Sequence, residues 1–405
     1  ITDRFGEAVV ASVWEGNGYQ RHFVGPLSLS QTIGYVHPRF GKAGLERTFD
    51  ADLRGSSSSR SGFLASRRTA QQGLDIVTTL DTSIQKAAEK ALAGRKGAVV
   101  ALDAHTGALL AVASVPFFDP NNMSEDLFSG KDGGPVFNRA LQGRYPPGSS
   151  WKPLILCAAL ESGAVSTRDT FEDSKSIMVG GYEIRNFEER ERGRLGIRDA
   201  LAYSSNVVFV QIGLKAGGGA ITQLAKRMGL LTTPKLGTPA VSSHLPSLDS
   251  FKQKSVLAEV SIGQGETWVS PLHMAVLAAT IGNGGFAVRP YLVQSVGGGD
   301  VAPVEPKTRV LSEEVATEVA TAMRAVVTRG TGTRAAVSGV EVSGKTGTAD
   351  NPAGRAHAWF IGFAPYSGGV VAVAVVLEHA GGGGVQAAPV AARVIEAAVR
   401  SPVGR

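Results

Sequence analysis

The apolar positions of the first 55 residues fall in short runs separated by Gly, Pro and charged residues, as at 8–13 and 31–36. Runs of this length, broken by turn-forming residues, predict strands and loops. The small and polar residues of 54–62 come next, and their composition predicts a flexible connection. Beyond it, Asp81 or Thr82 can cap a helix whose apolar residues recur at helical spacing as far as Leu92.

The pattern changes at Gly97, where the apolar runs 98–102 and 109–115 are joined by a short segment ending in Gly107. This arrangement predicts a β-hairpin. Helical spacing dominates the middle of the chain, and strands return near its end. The predicted helices cover 152–160, 197–203, 221–228, 271–281, 312–327 and 387–399, and the late strands cover 340–343, 356–363 and 370–377. Strands at both ends of a mainly helical middle indicate an α+β fold, with an antiparallel sheet closed by the terminal segments and helices on its faces.

Composition narrows the function classes. With 405 residues the chain can form two domains or one large one. Its 43% hydrophobic and 19% charged residues are typical of a globular protein. The net charge of +6 weakly favours an anionic membrane surface and argues against nucleic acid as a partner. The single cysteine, Cys157, excludes an intrachain disulfide and a Cys/His metal cluster, and we interpret it as a packed apolar residue.

The segment Pro-Pro-Gly-Ser-Ser-Trp-Lys-Pro, residues 146–153, carries the strongest chemical signal. It predicts a helix start with Ser149 in the first turn, where backbone N–H groups have no intrahelical partner. Lys152 shares a helical face with Ser149, at about 5–6 Å between Cβ atoms. Because a desolvated lysine can accept a hydroxyl proton, we predict that Ser149 attacks an amide carbonyl to form an acyl-enzyme, with Lys152 as its base. The N–H of Ser149 can supply half of an oxyanion hole.

Ser-x-x-Lys spacing alone is a weak signal. Ser83 and Lys86 have the same spacing inside the predicted amphipathic helix, without a Pro-Gly entry, and we interpret that pair as part of an exposed helix face. Ser149 differs from Ser83 because two other motifs of the same kind of chemistry follow it, each present once in the chain.

The first companion motif is Ser-Ser-Asn at 204–206, between helical 197–203 and the apolar run 207–210. A break there brings a hydroxyl and an amide onto one tight turn, although a helix-capping turn is the ordinary interpretation of such a segment. The second is Lys-Thr-Gly-Thr at 345–348. On a strand, Lys345 and Gly347 share a face, so the lysine can bind a carboxylate while the glycine leaves space for a ligand. Its ordinary interpretation is an edge-strand lysine before a turn.

Ser-x-x-Lys, Ser-x-Asn and Lys-Thr-Gly in this order resemble the signature of penicillin-binding proteins and serine β-lactamases. Nearly the whole chain is similar to class B penicillin-binding proteins, since further stretches at 44–46, 79–81, 97–103, 261–265 and 357–360 also match. The resemblance implies a transpeptidase domain with a five-stranded antiparallel sheet flanked by helices, plus an all-helical subdomain. It places this domain at 96–405, after a small β-rich, non-catalytic pedestal domain at 1–95.

By that resemblance, the protein is a peptidoglycan D,D-transpeptidase that cross-links stem peptides and is acylated by β-lactams. Ser149 would be the nucleophile, Lys152 the base, and Ser204 a proton relay with Lys345. Asn206 would hold the substrate amide. Lys345, Thr346 and Thr348 would surround the substrate carboxylate, with Gly347 beside them. The backbone N–H groups of Ser149 and Thr348 would form the oxyanion hole. Ser150 and Trp151 would lie at the cleft rim, where Thr and Phe are commoner in the family. No metal or organic cofactor is needed.

The resemblance also predicts where the protein works. No run of about 18 apolar residues occurs, and the chain begins at Ile1 rather than Met, so we interpret it as part of a longer protein. The opening residues are similar to the stretch that follows a membrane anchor in the family. We therefore expect a single N-terminal membrane helix, absent from this chain, and a catalytic domain outside the cytoplasm. The expected partners are a membrane glycan polymerase and other cell-wall synthesis proteins.

Three other functions stay open. A β-lactamase would need fast deacylation, but no Glu-x-x-Leu-Asn follows Ser-x-Asn to activate water, so slow deacylation is favoured. A D,D-carboxypeptidase, which passes the acyl group to water, is not separated from a transpeptidase because the acceptor site has no sequence signature. A catalytically silent scaffold or β-lactam sensor would show a damaged motif or an added signalling domain. The sequence does not distinguish septal, lateral and sporulation roles.

Overall fold

The computed structural model describes residues 1–16, 18–56, 72–92, 94–130, 134–303, 308–351 and 354–402. Its N-terminal part is a small β-containing region that also holds short helices. The elements are strands β1 Val10–Trp14, β2 Tyr19–Phe23, β3 Val36–His37 and β4 Gly41–Lys42, and helices α1 Ser30–Ile33, α2 Gly44–Thr48 and α3 Asp50–Leu53. β1 pairs with β2 and β3 with β4, all antiparallel. Residues 57–62 of the predicted connection lie outside the described residues.

The strand predicted at 31–36 is wrong over its first half, because Gln31, Thr32 and Ile33 belong to α1. All three side chains are buried, so the segment lacks the alternation of buried and exposed positions that separates a strand from a helix. The helix ends at Gly34, whose φ is +85° and whose position leaves no room for a Cβ beside the Ala43 carbonyl.

The predicted helix after the connection is confirmed as α4, Thr82–Leu92, preceded by strand β5 Ile76–Thr78. Asp81 caps it, because its Oδ1 accepts hydrogen bonds from the backbone N–H groups of Ser83 at 2.9 Å and Ile84 at 3.1 Å. Lys86 points outward and pairs with Glu7 at 3.0 Å. The Ser83 and Lys86 pair is therefore an ordinary feature of a helix surface.

A five-stranded antiparallel sheet forms the centre of the molecule. Its strands are β6 Gly97–Asp103, β7 Leu109–Val115, β14 Ser343–Asn351, β15 Gly354–Tyr366 and β16 Gly369–Leu377, in the spatial order β14-β15-β16-β6-β7. Every residue of β6 and β7 is buried, because helices cover both faces of the sheet. The predicted hairpin and the strands at 356–363 and 370–377 are confirmed.

The strand predicted at 340–343 is displaced, since β14 begins only at Ser343 and runs through the Lys-Thr-Gly motif. Val340 instead forms an isolated bridge with Val337. The apolar residues that indicated the strand lie before it, whereas β14 itself contains Gly344, Gly347 and polar residues of low strand propensity.

Helices predominate between β7 and β14, and three antiparallel strand pairs lie among them. The helices are α5 Lys152–Glu161, α6 Ile197–Ala202, α7 Asn206–Arg227, α8 Lys254–Ser261, α9 Pro271–Gly282 and α10 Glu313–Arg329, and the chain ends with α11 Gly383–Gln386 and α12 Ala388–Arg400. The strands are β8 Thr170–Asp173, β9 Ser176–Val179, β10 Tyr182–Arg185, β11 Gly193–Gly196, β12 Val293–Val296 and β13 Gly299–Asp300. β8 pairs with β11, β9 with β10, and β12 with both β5 and β13. All six predicted helices correspond to helices in the structure.

Different helices pack on the two faces of the central sheet. α4 and α12 pack together on one face, and α9 lies on the other with α10 beside β14. Among the described residues, α7 is long and apolar enough by length and composition to cross a membrane; it packs against α5 and α8. The division between residues 95 and 96 stays a prediction, and α4, on its N-terminal side, contacts α12 near the chain's end.

Candidate active site

Ser149 lies in a 3₁₀ turn, Gly148–Trp151, that continues directly into α5. The turn is held from two sides. The Gly148 N–H donates to the Gly263 carbonyl at 2.9 Å, and a Cβ on Gly148, whose φ is +53°, would lie 2.5 Å from the Thr348 carbonyl oxygen. Because only glycine permits this approach, the turn that carries Ser149 sits directly against the edge strand β14.

Ser150 and Trp151 are both fully buried, which the sequence did not predict. Ser150 Oγ donates to the Pro147 carbonyl at 2.6 Å, and this bond closes the turn from behind. The expected place of both residues at the cleft rim is not where this structure puts them, because neither side chain has an exposed surface. Ser149, in contrast, is partly exposed.

Lys152 is completely buried one turn after Ser149. Its Nζ donates hydrogen bonds to the Ser204 carbonyl at 2.7 Å, to Asn206 Oδ1 at 2.8 Å and to the Ser205 carbonyl at 3.2 Å, and it lies 3.4 Å from Ser204 Oγ. Among the described hydrogen bonds, none joins Nζ to Ser149 Oγ. The lysine is therefore oriented by the Ser-x-Asn turn.

The Ser204-Ser205-Asn206 turn joins α6 to α7. Ser204 has a φ of +62°, a left-handed conformation that is uncommon for a residue with a side chain. Ser205 caps α7, because its Oγ accepts a hydrogen bond from the Val208 N–H at 3.0 Å. The ordinary interpretation as a capping turn is thus correct for Ser205, while Ser204 and Asn206 on either side face Lys152.

Lys345 reaches the same turn from β14. It is completely buried, and its Nζ donates to Ser204 Oγ at 2.9 Å and to the Thr346 carbonyl at 2.9 Å. Ser204 Oγ therefore lies between the two lysine ammonium groups. Thr346 Oγ1 forms a 2.6 Å hydrogen bond with Thr331 Oγ1, and Thr348 is exposed at the strand edge.

Gly347 has a structural use different from the one expected. A Cβ at this position would lie 2.7 Å from the Pro147 carbonyl oxygen and 3.0 Å from Ser150 Cβ. The space left by the missing side chain is occupied by the turn that carries Ser149, so the glycine brings this turn and β14 together.

Burial lowers the pKa of both lysines. Burial and the neighbouring Lys345 ammonium lower the pKa of Lys152 well below its usual value, and the Asp173 carboxylate opposes both effects. Burial lowers the pKa of Lys345 to about 7. A buried lysine that loses its proton near neutral pH can act as a base, so the arrangement can deprotonate a serine hydroxyl.

The structure brings Lys152, Ser204, Asn206 and Lys345 into one hydrogen-bonded group beside the Ser149 turn. Sequence reasoning missed the residues that support this group. Asp173 and Asn186 lie under the Ser204–Asn206 turn, and Thr331 lies beside Thr346. Each lies 15 or more positions along the chain from the site residue that it contacts, and no spacing signal marks it.

The fold and the site define a serine acyltransferase, with Ser149 one turn before the buried Lys152. Residues 97–396 match the family model of the penicillin-binding protein transpeptidase domain. The chain is 34% identical over 428 residues to the peptidoglycan D,D-transpeptidase PbpA of Mycolicibacterium smegmatis, covering 94% of this chain and 84% of the relative. It is 29% identical to the peptidoglycan D,D-transpeptidase MrdA of Escherichia coli, covering 85% of this chain and 62% of the relative. It therefore belongs to the penicillin-binding protein transpeptidase family.

Solved structures agree with this assignment. The ceftriaxone acyl-enzyme complex of penicillin-binding protein A from Mycobacterium tuberculosis superposes with a TM-score of 0.88 at 30% identity, covering 98% of this chain and 97% of that one. The D,D-transpeptidase domain of a peptidoglycan glycosyltransferase from Eggerthella lenta gives 0.87 at 32% identity, covering 98% and 96%. The similarity to class B penicillin-binding proteins and the expected α+β fold are confirmed.

Proposed function

We propose that this protein is a peptidoglycan D,D-transpeptidase in which Ser149 forms the acyl-enzyme. The observation that carries the proposal is the hydrogen-bonded series from Lys345 Nζ through Ser204 Oγ to Lys152 Nζ, one turn from Ser149. The names of the PbpA and MrdA relatives state this activity. The penicillin G and imipenem acyl-enzyme complexes of the M. tuberculosis protein support covalent reaction with β-lactams.

In the acylation step, neutral Lys152 accepts the hydroxyl proton of Ser149 as Oγ attacks the carbonyl carbon between the two terminal D-Ala residues. The C–N bond breaks, and the departing D-Ala amine receives a proton returned from Lys152 through Ser204. In the transfer step, an amine of a neighbouring stem peptide attacks the ester and loses a proton along the same route. Ser149 then regains its hydroxyl proton.

The backbone N–H groups of Ser149 and Thr348 are suited to hold the oxyanion. β14 is an edge strand, so the backbone groups on its outer side have no partner strand. The Thr348 carbonyl oxygen faces Gly148, and the N–H and C=O of a strand residue point to the same side. The Thr348 N–H is therefore directed toward the turn that carries Ser149.

Substrate groups are assigned to the remaining residues. Lys345, Thr346 and Thr348 surround the terminal carboxylate of the donor peptide, and Asn206 binds its amide. Asn206 Nδ2 already donates to the Arg185 carbonyl at 2.8 Å, so a substrate carbonyl would share or replace that contact. The side chains of Ser150 and Trp151 are buried, so we assign them no contact with substrate. Together with Gly347 they hold the Ser149 turn against β14.

Fluorescent penicillin labelling of the purified chain tests the proposal. We expect stoichiometric, long-lived labelling that Ser149→Ala abolishes and that Ser83→Ala, in the surface Ser-x-x-Lys pair, leaves unchanged. Rapid loss of label would favour a β-lactamase, and absence of label would favour a scaffold or sensor. A D-Ala-D-Ala peptide offered with and without an acceptor amine separates transpeptidation from carboxypeptidation, because only transpeptidation forms the new amide.

We further propose that the catalytic domain works outside the cytoplasmic membrane, attached by an anchor, beside a glycan polymerase. The β1–β2 hairpin supports a protein partner, because Trp14 and Tyr19 are 58% and 73% exposed on it. Co-purification of the anchored protein with a cell-wall polymerase should weaken when both residues are changed to Ser. Tyr182→Ser, which changes an equally exposed aromatic residue on β10, is the control.

A further inference from the structure

A buried carboxylate lies beneath the Ser204–Asn206 turn. Asp173, at the end of β8, is completely buried, and its Oδ1 accepts hydrogen bonds from Ser205 Oγ at 2.5 Å and from Asn186 Nδ2 at 2.6 Å. Its other oxygen, Oδ2, accepts no hydrogen bond within the described part of the chain, and Arg192 Nη1 lies 3.7 Å away. Burying a carboxylate destabilises the folded state unless the charge is compensated. A buried carboxylate directly under the Ser204–Asn206 turn therefore indicates a role for its charge or its hydrogen bonds.

Asn186 joins this carboxylate to the turn. While its Nδ2 donates to Asp173, its Oδ1 accepts hydrogen bonds from the backbone N–H groups of Asn206 at 2.7 Å and Val207 at 3.2 Å. These are two of the orphan N–H groups at the start of α7, and Ser205 Oγ accepts a third, from Val208. One buried pair, Asp173 and Asn186, therefore holds the first turn of α7, which directly follows the left-handed Ser204.

We propose that Asp173 and Asn186 are positioning residues for acylation. Asn186 holds the main chain of the Ser204–Asn206 turn, and Asp173 holds Asn186 and Ser205 and supplies a fixed negative charge near the paired lysines. This inference rests on the proposed function, because it describes how the same Ser149 site is kept ready to react. Neither residue touches the reacting atoms.

The charge of Asp173 has a direction that can be measured. Two charged groups act on Lys152, the Lys345 ammonium on β14 and the Asp173 carboxylate on β8. Its other neighbours are uncharged: the Ser204 and Ser205 oxygens and the Phe209 ring on α7. The charged group beside Asp173 is the Arg192 guanidinium. The carboxylate raises the pKa of Lys152 against burial and against Lys345. Acylation needs neutral Lys152, so its rate increases with pH through the pKa of that lysine. Removing the carboxylate charge must move this increase to lower pH.

The decisive experiment measures the acylation rate constant with fluorescent penicillin between about pH 5 and 9 for Asp173→Asn, a variant of the same shape. We expect the ascending part of the pH profile to move to lower pH by at least about half a unit. Glu172→Gln, which neutralises the adjacent exposed carboxylate of β8, should leave the profile in place. A purely structural role for Asp173 would lower the rate without moving the profile.

Asn186→Ala provides a second measurement that holds even where Asp173→Asn fails to fold. This variant keeps the carboxylate, so the profile should stay in place while acylation becomes about 10-fold slower or more, because the turn loses its main-chain anchor. An unmoved profile in Asp173→Asn, or parental acylation in Asn186→Ala, overturns the inference. If the unchanged protein is not labelled at Ser149, the proposed function itself fails.

Discussion

Lys345 Nζ lies 2.9 Å from Ser204 Oγ, although 141 positions separate the two residues in the sequence. The contact joins the edge strand β14 to the turn between α6 and α7, and it completes a group that contains two buried lysines. Two ammonium groups this close in a buried site repel each other, so one of them is favoured in its neutral form. The hydrogen-bonded group beside Ser149 therefore contains a lysine that can act as a base.

Replacing Lys345 with Met should slow acylation by penicillin at least about 100-fold, because Ser204 loses its proton partner and the substrate carboxylate loses its cation. Lys86→Met, in the exposed Ser-x-x-Lys pair of α4, should acylate at the parental rate. Acylation rate constants at neutral pH measure the difference. A Lys345→Met protein that reacts as fast as the parent contradicts the assignment of this lysine.

The same substitution should change the pH dependence of stability. The pKa of Lys345 is about 7 in the folded protein, whereas the unfolded lysine keeps its proton up to about pH 10. Between these values the unfolded state binds more protons, so the parental stability increases with pH across this window. Lys345→Met lacks this dependence. The melting temperature of the variant should exceed that of the parent near pH 7, and the difference should shrink toward pH 10; a constant difference would argue against a lowered pKa.

Gly347→Ala should impair both folding and acylation, because the new Cβ would lie 2.7 Å from the Pro147 carbonyl oxygen. Overpacking of this kind costs about 1–3 kcal/mol and would push the Ser149 turn away from β14. Gly219→Ala, at an exposed position in α7 with open space around it, should be neutral or stabilise by up to about 1 kcal/mol. Chemical denaturation and penicillin labelling of the two variants provide the comparison.

Glu378 should contribute more to stability than any surface carboxylate of the C-terminal helix. It accepts hydrogen bonds from Tyr145 Oη at 2.8 Å and from Arg139 Nε at 3.0 Å, and Arg139 is almost fully buried. Glu378→Ala removes one acceptor from that buried guanidinium and the hydrogen-bond partner of the Tyr145 hydroxyl, and it should cost about 3–5 kcal/mol. Glu396→Ala, which breaks an exposed pair with Arg400, should change the free energy of unfolding by less than about 0.5 kcal/mol. Similar losses in the two variants would contradict this ranking.

Local pattern was sufficient for most of the fold. The α4 helix with its Asp81 cap and the β6–β7 hairpin depend on nearby residues, so periodicity and turn chemistry predicted them. The prediction was wrong at Gln31–Ile33, because a fully buried short run has no alternation to separate helix from strand. It displaced β14 for a related reason: the strand is held by its neighbours β15 and α10 rather than by its own residue types.

The candidate site was predictable as far as its motifs extend. Ser149, Lys152, Ser204 and Lys345 have neighbours in sequence that mark them, whereas Asp173 and Asn186 have none. Their proposed positioning role arises from contacts that Asp173 of β8 and Asn186, directly after β10, make with the start of α7, and a single sequence contains no record of such contacts. The same limit applies to Gly347, whose predicted ligand space is filled by the Ser149 turn.

The order of strands in the central sheet determines which copies of the protein a labelled β-lactam can detect in cells. β6 and β7 come from residues before Ser149, and β14, β15 and β16 come from the last quarter of the chain, so the contact between Lys345 and Ser204 forms only when β14 is in place. By the proposed mechanism, a nascent polypeptide that lacks those late strands has no activated Ser149 hydroxyl. Covalent uptake of a labelled β-lactam by growing cells therefore measures the mature population of this enzyme and leaves unfinished copies uncounted.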